Sequence, residues 1–249
     1  MLIKIDGKIY EARSDETLLE LAKRKGLDIP SLCHKKEFEG LGRCRLCLVE
    51  VDEGRGKKVV SACVYPLKDG IEVWTSSQEI DKMRKDIVFL LLQRSPKNHY
   101  IKELAAKFEI TAIDRFANSE DEDCILCGLC VEACHKLGTK AISFVGRGTA
   151  KKVSTPFDDA SLDCIGCGAC YEVCPTDAIE LLEEDGIRTI WNREFELVSC
   201  NMCGKDYETK QALDYTSSLL DAQSEEQLCH LCKRKDIGSG FSQSFKNIY

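Results

Sequence analysis

Sixteen cysteines dominate the chemistry this chain can do, and their spacing sorts them into four sets of four. The first is Cys33, Cys44, Cys47 and Cys63. The second is Cys124, Cys127, Cys130 and Cys134, the third Cys164, Cys167, Cys170 and Cys174, and the last Cys200, Cys203, Cys229 and Cys232. Four thiolates per set is the requirement of a tetrathiolate zinc or of an iron–sulfur cluster. The opening residues, Met1 to Gly7, have the pattern of neither a signal nor a transit peptide. A cytoplasmic chain is therefore expected, whose thiols stay reduced, so metal and not disulfide accounts for the cysteines.

The second and third sets form an internal repeat. Asp123-Cys124-Ile125-Leu126-Cys127-Gly128-Leu129-Cys130-Val131-Glu132-Ala133-Cys134 matches Asp163-Cys164-Ile165-Gly166-Cys167-Gly168-Ala169-Cys170-Tyr171-Glu172-Val173-Cys174, and an Ala-Ile pair follows each copy (Ala141-Ile142 and Ala178-Ile179). Cys-x2-Cys-x2-Cys-x3-Cys wraps three thiolates round one face of a cubane, and its fourth cysteine reaches the other cluster. One [4Fe-4S] is thus assigned to Cys124, Cys127, Cys130 and Cys174, the other to Cys164, Cys167, Cys170 and Cys134. Gly128, Gly166, Gly168 and Ala169 are small enough to let backbone amides approach cluster sulfur. The segment resembles the bacterial two-cluster ferredoxin family over about 60 residues. It departs from the family motif where His135, and not proline, follows Cys134; Cys174 keeps its Pro175.

The first set reads Cys-x10-Cys-x2-Cys-x15-Cys, centred on Gly42-Arg43-Cys44-Arg45-Leu46-Cys47. This resembles the [2Fe-2S] domain at the head of the large iron–sulfur subunit of complex I, shared with NAD-linked hydrogenase diaphorase subunits and iron-only hydrogenases. Arg43 and Arg45 either screen the cluster's charge or are simply solvated. In that family a [4Fe-4S] site held by one histidine and three cysteines often follows. Here His99 has no cysteine near it, so that site is read as lost and His99 as an ordinary loop residue.

In the last set, Cys200-Asn201-Met202-Cys203 and Cys229-His230-Leu231-Cys232 are two Cys-x2-Cys knuckles. They look like a zinc ribbon, in which metal replaces the core that so few polar residues cannot build. A further iron–sulfur cluster on the same four thiolates is the alternative.

The elements that must carry these residues are legible in part. Residues 2–5 and 8–12 alternate round Asp6-Gly7, a hairpin signal. Ser14 to Thr17 opens a helix with Leu18, Leu19, Leu21 and Ala22 on its apolar side, and Gly26 can end it. Strands are expected over 46–51, 57–63 and 71–74. Ile80, Met83, Ile87, Leu90, Leu91 and Leu92 recur at helical spacing until Ser95-Pro96, and a second helix is expected over 100–108.

The expected fold class is α+β. Residues 1–75 form a β-grasp [2Fe-2S] domain, 76–117 a helical connector with an acidic run at 118–123 beyond it, and 118–189 a ferredoxin-like domain with two [4Fe-4S] clusters. A zinc-ribbon-like module spans 190–237 and a polar tail 238–249.

No dinucleotide fingerprint, P-loop or nucleophile arrangement is present, so no complete catalytic site is expected on this chain. A net charge of −7 argues against nucleic acid as partner, and no apolar run is long enough for a membrane. The resemblances imply an electron-relay subunit of a cytosolic NAD(H)- or ferredoxin-linked oxidoreductase of hydrogenase, formate dehydrogenase or aldehyde oxidoreductase type. The missing histidine site and the cysteine-rich tail resemble small subunits of flavin-based electron-bifurcating complexes. The partners so implied are an FMN/NAD-binding subunit, a small thioredoxin-like [2Fe-2S] subunit, a catalytic oxidoreductase subunit and a soluble ferredoxin. A free-standing polyferredoxin is the alternative, and a metal-dependent redox-sensing regulator the third reading.

Overall fold

A computed structural model describes residues 1–111, 122–220 and 227–237. The acidic residues 118–121 and the tail 238–249 lie outside the described residues. The chain divides into two compact units: Met1–Ala133 with Gly146–Val153 and Val173–Ala178, and Cys134–Val145 with Ser154–Glu172 and Ile179–Tyr249.

The first unit begins with strands β1 (Leu2–Ile5) and β2 (Lys8–Glu11). The two residues between them, Asp6 and Gly7, have φ of 47° and 81°, the left-handed pair that a tight hairpin turn needs. Helix α1 (Leu18–Arg24) starts on a reciprocal cap: Thr17 accepts from the Glu20 amide, and the Glu20 carboxylate accepts from the Thr17 amide at 2.7 Å. A helix of 7 residues is too short to persist alone. Packing holds it, because Leu18, Leu19, Leu21 and Ala22 are buried against Ile3, Ile5, Val49, Val51 and Val73, each leucine contributing roughly 1.5–3 kcal/mol.

Strands β3 (Leu48–Asp52), β4 (Lys57–Ser61) and β5 (Glu72–Trp74) complete a sheet of order β2-β1-β5-β3-β4. The central β1–β5 pair is parallel and the other pairs antiparallel. The result is a mixed sheet wrapped on one helix.

Helix α2 (Gln78–Arg94) is capped by Ser77. Its buried face differs in part from the one that apolar spacing suggests: Ile80 and Leu92 are buried as expected, but so are Arg84, Val88 and Gln93, whereas Leu90 is 65% exposed. The reason is Arg84, whose guanidinium donates to the carbonyls of Leu46 (3.2 Å), Leu48 (2.8 Å) and Thr75 (2.9 Å). Those carbonyls are offered by the chain entering β3 and leaving β5, so the arginine turns inward to meet them. Helix α3 (His99–Lys107) is capped by Asn98 and packs on α2.

Helix α4 (Leu129–Lys136), strands β6 (Ser143–Val145) and β7 (Lys152–Ser154), and the single turn α5 (Ala169–Glu172) follow. In the second unit β8 (Leu181–Glu184), β9 (Ile187–Ile190), β10 (Arg193–Ser199) and β11 (Asp206–Thr209) make an antiparallel sheet of order β11-β10-β9-β8, and α6 (Lys210–Leu220) packs on it. This sheet runs across residue 190, where sequence reading places a module boundary. Arg188 pairs with Phe195 and Ile190 with Arg193; Ile190 and Phe195 are buried, so one apolar layer spans both sides. Among the described residues no helix is long and apolar enough to cross a membrane.

Candidate metal centres

The first set gathers where the loop after α1 meets the ends of β3 and β4. Cys33 and Cys44 lie on that loop, Cys47 just before β3, and Cys63 in the turn after β4. The Cys44 amide donates to Cys33 Sγ and the Leu32 amide to Cys44 Sγ, each at 3.4 Å. The thiols shift one another. Bonds from Cys44 and Cys63 pull Cys33 down to about 2, and a bond from Cys63 pulls Cys47 down to about 7. The price is a large upward shift at Cys44 and Cys63, driven first by their bonds to Cys33. Four thiols gathered in one site, with backbone amides donating to two of them, match the ligand count of an iron–sulfur cluster.

Gly40 makes the enclosure possible, since a Cβ there would sit 1.7 Å from the Cys63 carbonyl oxygen. Arg43 supports the site through its backbone amide, which lowers Cys33, while the Arg45 side chain is exposed. His34, next to Cys33, is buried with Lys23 Nζ 2.9 Å from its Nδ1.

The repeat cysteines divide between the units in a crossed fashion. Cys174 falls in the first unit with Cys124, Cys127 and Cys130, and Cys134 falls in the second with Cys164, Cys167 and Cys170. Electrostatics follow the same grouping: charge on Cys174 raises Cys124 and Cys127, and charge on Cys134 raises Cys164, Cys167 and Cys170, in each case after burial as the larger cause. Burial pushes Cys127 and Cys170 up to about 11.

Backbone donors serve both halves. The amide of Ala178 donates to Cys174 Sγ at 3.3 Å and that of Ala141 to Cys134 Sγ at 3.1 Å. Leu126 donates to Cys124 Sγ at 3.4 Å, and Gly166 and Ala169 donate to Cys164 and Cys167. The small residues singled out in the repeat sit where the chain turns left-handed, with Gly128, Gly166 and Gly168 at φ of 83°, 68° and 73°. In the second unit Cys134, Cys164, Cys167 and Cys170 line one small cavity together with Ile142, Ile190 and Trp191. A thiolate set round a mostly apolar space fits an iron–sulfur cluster.

Side chains missed by spacing arguments hold these loops. In the first unit, Arg94 Nε donates to the Cys124 carbonyl at 2.6 Å. Asn98 Nδ2 reaches Asp123 Oδ1 (3.0 Å) and the Thr176 carbonyl (2.9 Å). In the second, Arg193 Nη1 donates to the carbonyls of Ser161 (2.8 Å), Leu162 (2.9 Å) and Cys164 (2.8 Å). Arg188 Nη1 meets the Gly166 carbonyl at 2.8 Å, and Thr209 Oγ1 meets that of Ile165 at 2.6 Å. Phe195 lies directly under Gly166, where a Cβ would come 2.6 Å from its ring. Arginines in short strands read as surface residues, so no periodic signal marks them. His99 opens α3 and its side chain is 87% exposed.

The last set is the tightest. The Sγ atoms of Cys200, Cys203, Cys229 and Cys232 all lie within 4.8 Å of one another, and Cys203 and Cys229 are 3.8 Å apart. The first knuckle is the turn between β10 and β11, closed by Gly204 N to Cys200 O (2.8 Å) and Cys200 N to Lys205 O (2.9 Å). The amide of Cys229 donates to Cys200 Sγ at 3.3 Å and, as the largest cause, draws that thiol down to about 6. Burial, then bonds from the other three thiols, pushes Cys232 up to about 12.

Comparison with known proteins matches the same segments. A 2Fe-2S iron-sulfur cluster binding domain model matches residues 2–78, and a 4Fe-4S dicluster domain model matches 117–181. A second model of that description matches 163–205, which takes in Cys200 and Cys203. The chain is 33% identical over 177 residues to NADPH-Fe(3+) oxidoreductase subunit alpha of Geobacter sulfurreducens, covering 61% of this chain and 21% of that protein. It is 30% identical over 188 residues to NADP-reducing hydrogenase subunit HndD of Solidesulfovibrio fructosivorans (64% and 32%), and 26% identical over 175 residues to the NADH-ubiquinone oxidoreductase 75 kDa subunit of Reclinomonas americana (61% and 25%). It therefore spans between a fifth and a third of the length of these relatives. Among solved structures, a chain of an NAD+-reducing [NiFe]-hydrogenase in the H2-reduced state superposes with a TM-score of 0.54 at 27% identity, over 62% of this chain and 74% of that one. The chain carries a 2Fe-2S domain and 4Fe-4S ferredoxin-like domains, and is similar over part of its length to subunits of NADPH-, NADP- and NADH-linked oxidoreductases.

Proposed function

We propose that this chain is the electron-relay subunit of a multisubunit NAD(P)- or ferredoxin-linked oxidoreductase. It would hold one [2Fe-2S] on Cys33, Cys44, Cys47 and Cys63. One [4Fe-4S] belongs to Cys124, Cys127, Cys130 and Cys174, the other to Cys134, Cys164, Cys167 and Cys170. When bound, such clusters each accept and release one electron at a time; the chain's residues bury, orient and tune them.

The observation that carries the reading is the shared core of the first unit. Cys33 and Cys127 are buried in one apolar cluster with Leu32, Leu46, Ile125 and Leu129, Cys44 packs against it, and charge on Cys33 is felt at Cys127. Two redox sites embedded in one apolar cluster support a path for electrons between them. The relatives are longer chains named as oxidoreductase subunits, which favours a subunit that works with others. An FMN/NAD-binding subunit, a thioredoxin-like [2Fe-2S] subunit and a catalytic subunit of hydrogenase, formate dehydrogenase or aldehyde oxidoreductase type are the partners this proposal names. Flavin-based bifurcation belongs to the same proposal.

The C-terminal four cysteines are assigned to one zinc. Tetrahedral zinc with bonds of about 2.3 Å places its sulfurs about 3.8 Å apart, the separation of Cys203 and Cys229. A cubane carries its thiolates on four different irons and needs them further apart. That physical requirement outweighs the dicluster match that runs into Cys200 and Cys203.

Metal analysis of anaerobically purified protein tests both assignments: about 10 irons and one zinc per chain are expected. About 12 or 14 irons without zinc would make the tail a fourth redox centre. Colourless protein without a paramagnetic signal after dithionite would end the relay proposal. Native mass distinguishes a subunit from a lone carrier, which would run near 27.9 kDa.

A further inference from the structure

The indole of Trp191 donates from Nε1 to Sγ of Cys170 at 3.4 Å. The backbone donors to this set, Ala141, Gly166 and Ala169, belong to the loops that carry the cysteines. Trp191 does not: it reaches in from a hairpin 21 residues further along the chain.

The conformation of that hairpin is costly. Ile190 and Arg193 are paired across it, and the two residues between them, Trp191 and Asn192, have φ of 52° and 59°. Such a turn is easily adopted by Asn-Gly, whereas a bulky indole in the left-handed region is strained. Strain of this kind persists only where the surroundings enforce it. Here they do so from both sides. Asn192 Nδ2 meets the Asp158 carbonyl at 3.4 Å, and Arg193 is fixed to three carbonyls of the segment containing Cys164. The enforced turn aims the indole N–H at sulfur and sets the ring in the wall of the cavity lined by Cys134, Cys164, Cys167 and Cys170.

We propose that Trp191 is a positioning residue that raises the reduction potential of the [4Fe-4S] cluster on Cys134, Cys164, Cys167 and Cys170 by hydrogen-bonding the Cys170 thiolate. The proposal rests on the cluster assignment above. An added electron makes the cluster more negative, and a donor aimed at one of its sulfurs stabilises the reduced state more than the oxidised one. The repeat makes this one-sided. Counted from the Ala-Ile pair that follows each run, 37 residues apart, the position equivalent to Trp191 is Ser154, which has no aromatic N–H. Near-identical ligand runs would thus hold two clusters of different potential, with the electron favoured on the one that Trp191 faces.

The test uses the full chain with its clusters, comparing Trp191→Phe with the unaltered protein in a redox titration followed by EPR. Phenylalanine keeps the ring and the turn but loses the donor. A fall in the midpoint of one of the two [4Fe-4S] signals is expected, with the other and the [2Fe-2S] unmoved; a tenfold change in its oxidised-to-reduced ratio corresponds to about 59 mV for one electron. Should the variant lose its cluster, the unaltered chain decides. Grown with indole-15N tryptophan, it should show a nitrogen coupling to one reduced [4Fe-4S] signal in pulsed EPR. Trp74 is the other tryptophan, placed in β5 of the first unit. An unshifted midpoint at full iron content, or no such coupling, overturns the role of Trp191. Absence of any [4Fe-4S] signal from the unaltered chain overturns instead the assignment on which it rests.

Discussion

Asn98 donates through Nδ2 to the main-chain carbonyl of Thr176 at 2.9 Å. The same nitrogen serves Asp123 Oδ1, and Oδ1 of the side chain accepts from the Ile101 amide at 3.2 Å to cap α3. One residue therefore ties the segment before Cys124 to the segment after Cys174, cysteines 50 residues apart that the proposed [4Fe-4S] would join.

Asn98→Ala removes all three bonds. The cap alone is worth about 1 kcal/mol. We expect faster release of about 4 of about 10 irons under a chelator, followed by optical bleaching and the loss of one [4Fe-4S] EPR signal. Asn98→Asp keeps the cap and loses the donor, so it should restore helix stability but not iron retention. Equal retention in all three proteins would show that the tie is dispensable.

Arg84 is the second test. Its burial lowers its pKa, yet an arginine remains charged, and three main-chain carbonyls depend on it. Arg84→Met leaves them without their donor at a cost of about 3 kcal/mol or more. Denaturant unfolding should register that loss. Arg84→Lys, with one ammonium for three separated oxygens, should recover only part of it.

Gly40→Ala probes the first cysteine set. The added carbon cannot coexist with the Cys63 carbonyl 1.7 Å away, so the loop has to move off the site. The [2Fe-2S] signal should fall or vanish while both [4Fe-4S] signals remain. An unchanged [2Fe-2S] spectrum would mean that the loop has slack.

The acid limb of the stability curve should carry a contribution from Glu53. Bonds from Lys68, then Tyr65 and Lys58, draw this carboxyl down to about 2; Lys68 and Lys58 Nζ lie 2.7 and 3.0 Å away. A carboxyl with a depressed folded-state pKa binds protons more readily when unfolded. Its contribution is full above the unfolded value near 4.3 and disappears as pH falls through about 2. Glu53→Gln should therefore be less stable than the unaltered chain at pH 6, with the gap closing below about pH 4. Thermal unfolding across that range measures it, and a gap independent of pH would assign the effect to something other than this titration.

The chain announces its metals locally. Thiolate chemistry needs cysteines at set intervals within a few residues, so spacing alone separates a ferredoxin-type run from a pair of knuckles. The first hairpin and the capped starts of α1 and α2 are equally local, because turn and cap bonds close over two to four residues. What decides the rest acts between distant positions. The inward turn of Arg84 exists because of carbonyls up to 38 residues away. The sheet ignores the boundary at 190 because Phe195 and Ile190 share a buried layer. The compactness of the last four sulfurs depends on a contact across 29 residues, from the Cys229 amide to Cys200 Sγ. Sequence thus marked the candidate ligands, while tertiary packing, which alone sets distances between remote atoms, decided how closely they stand and which side chains press on them.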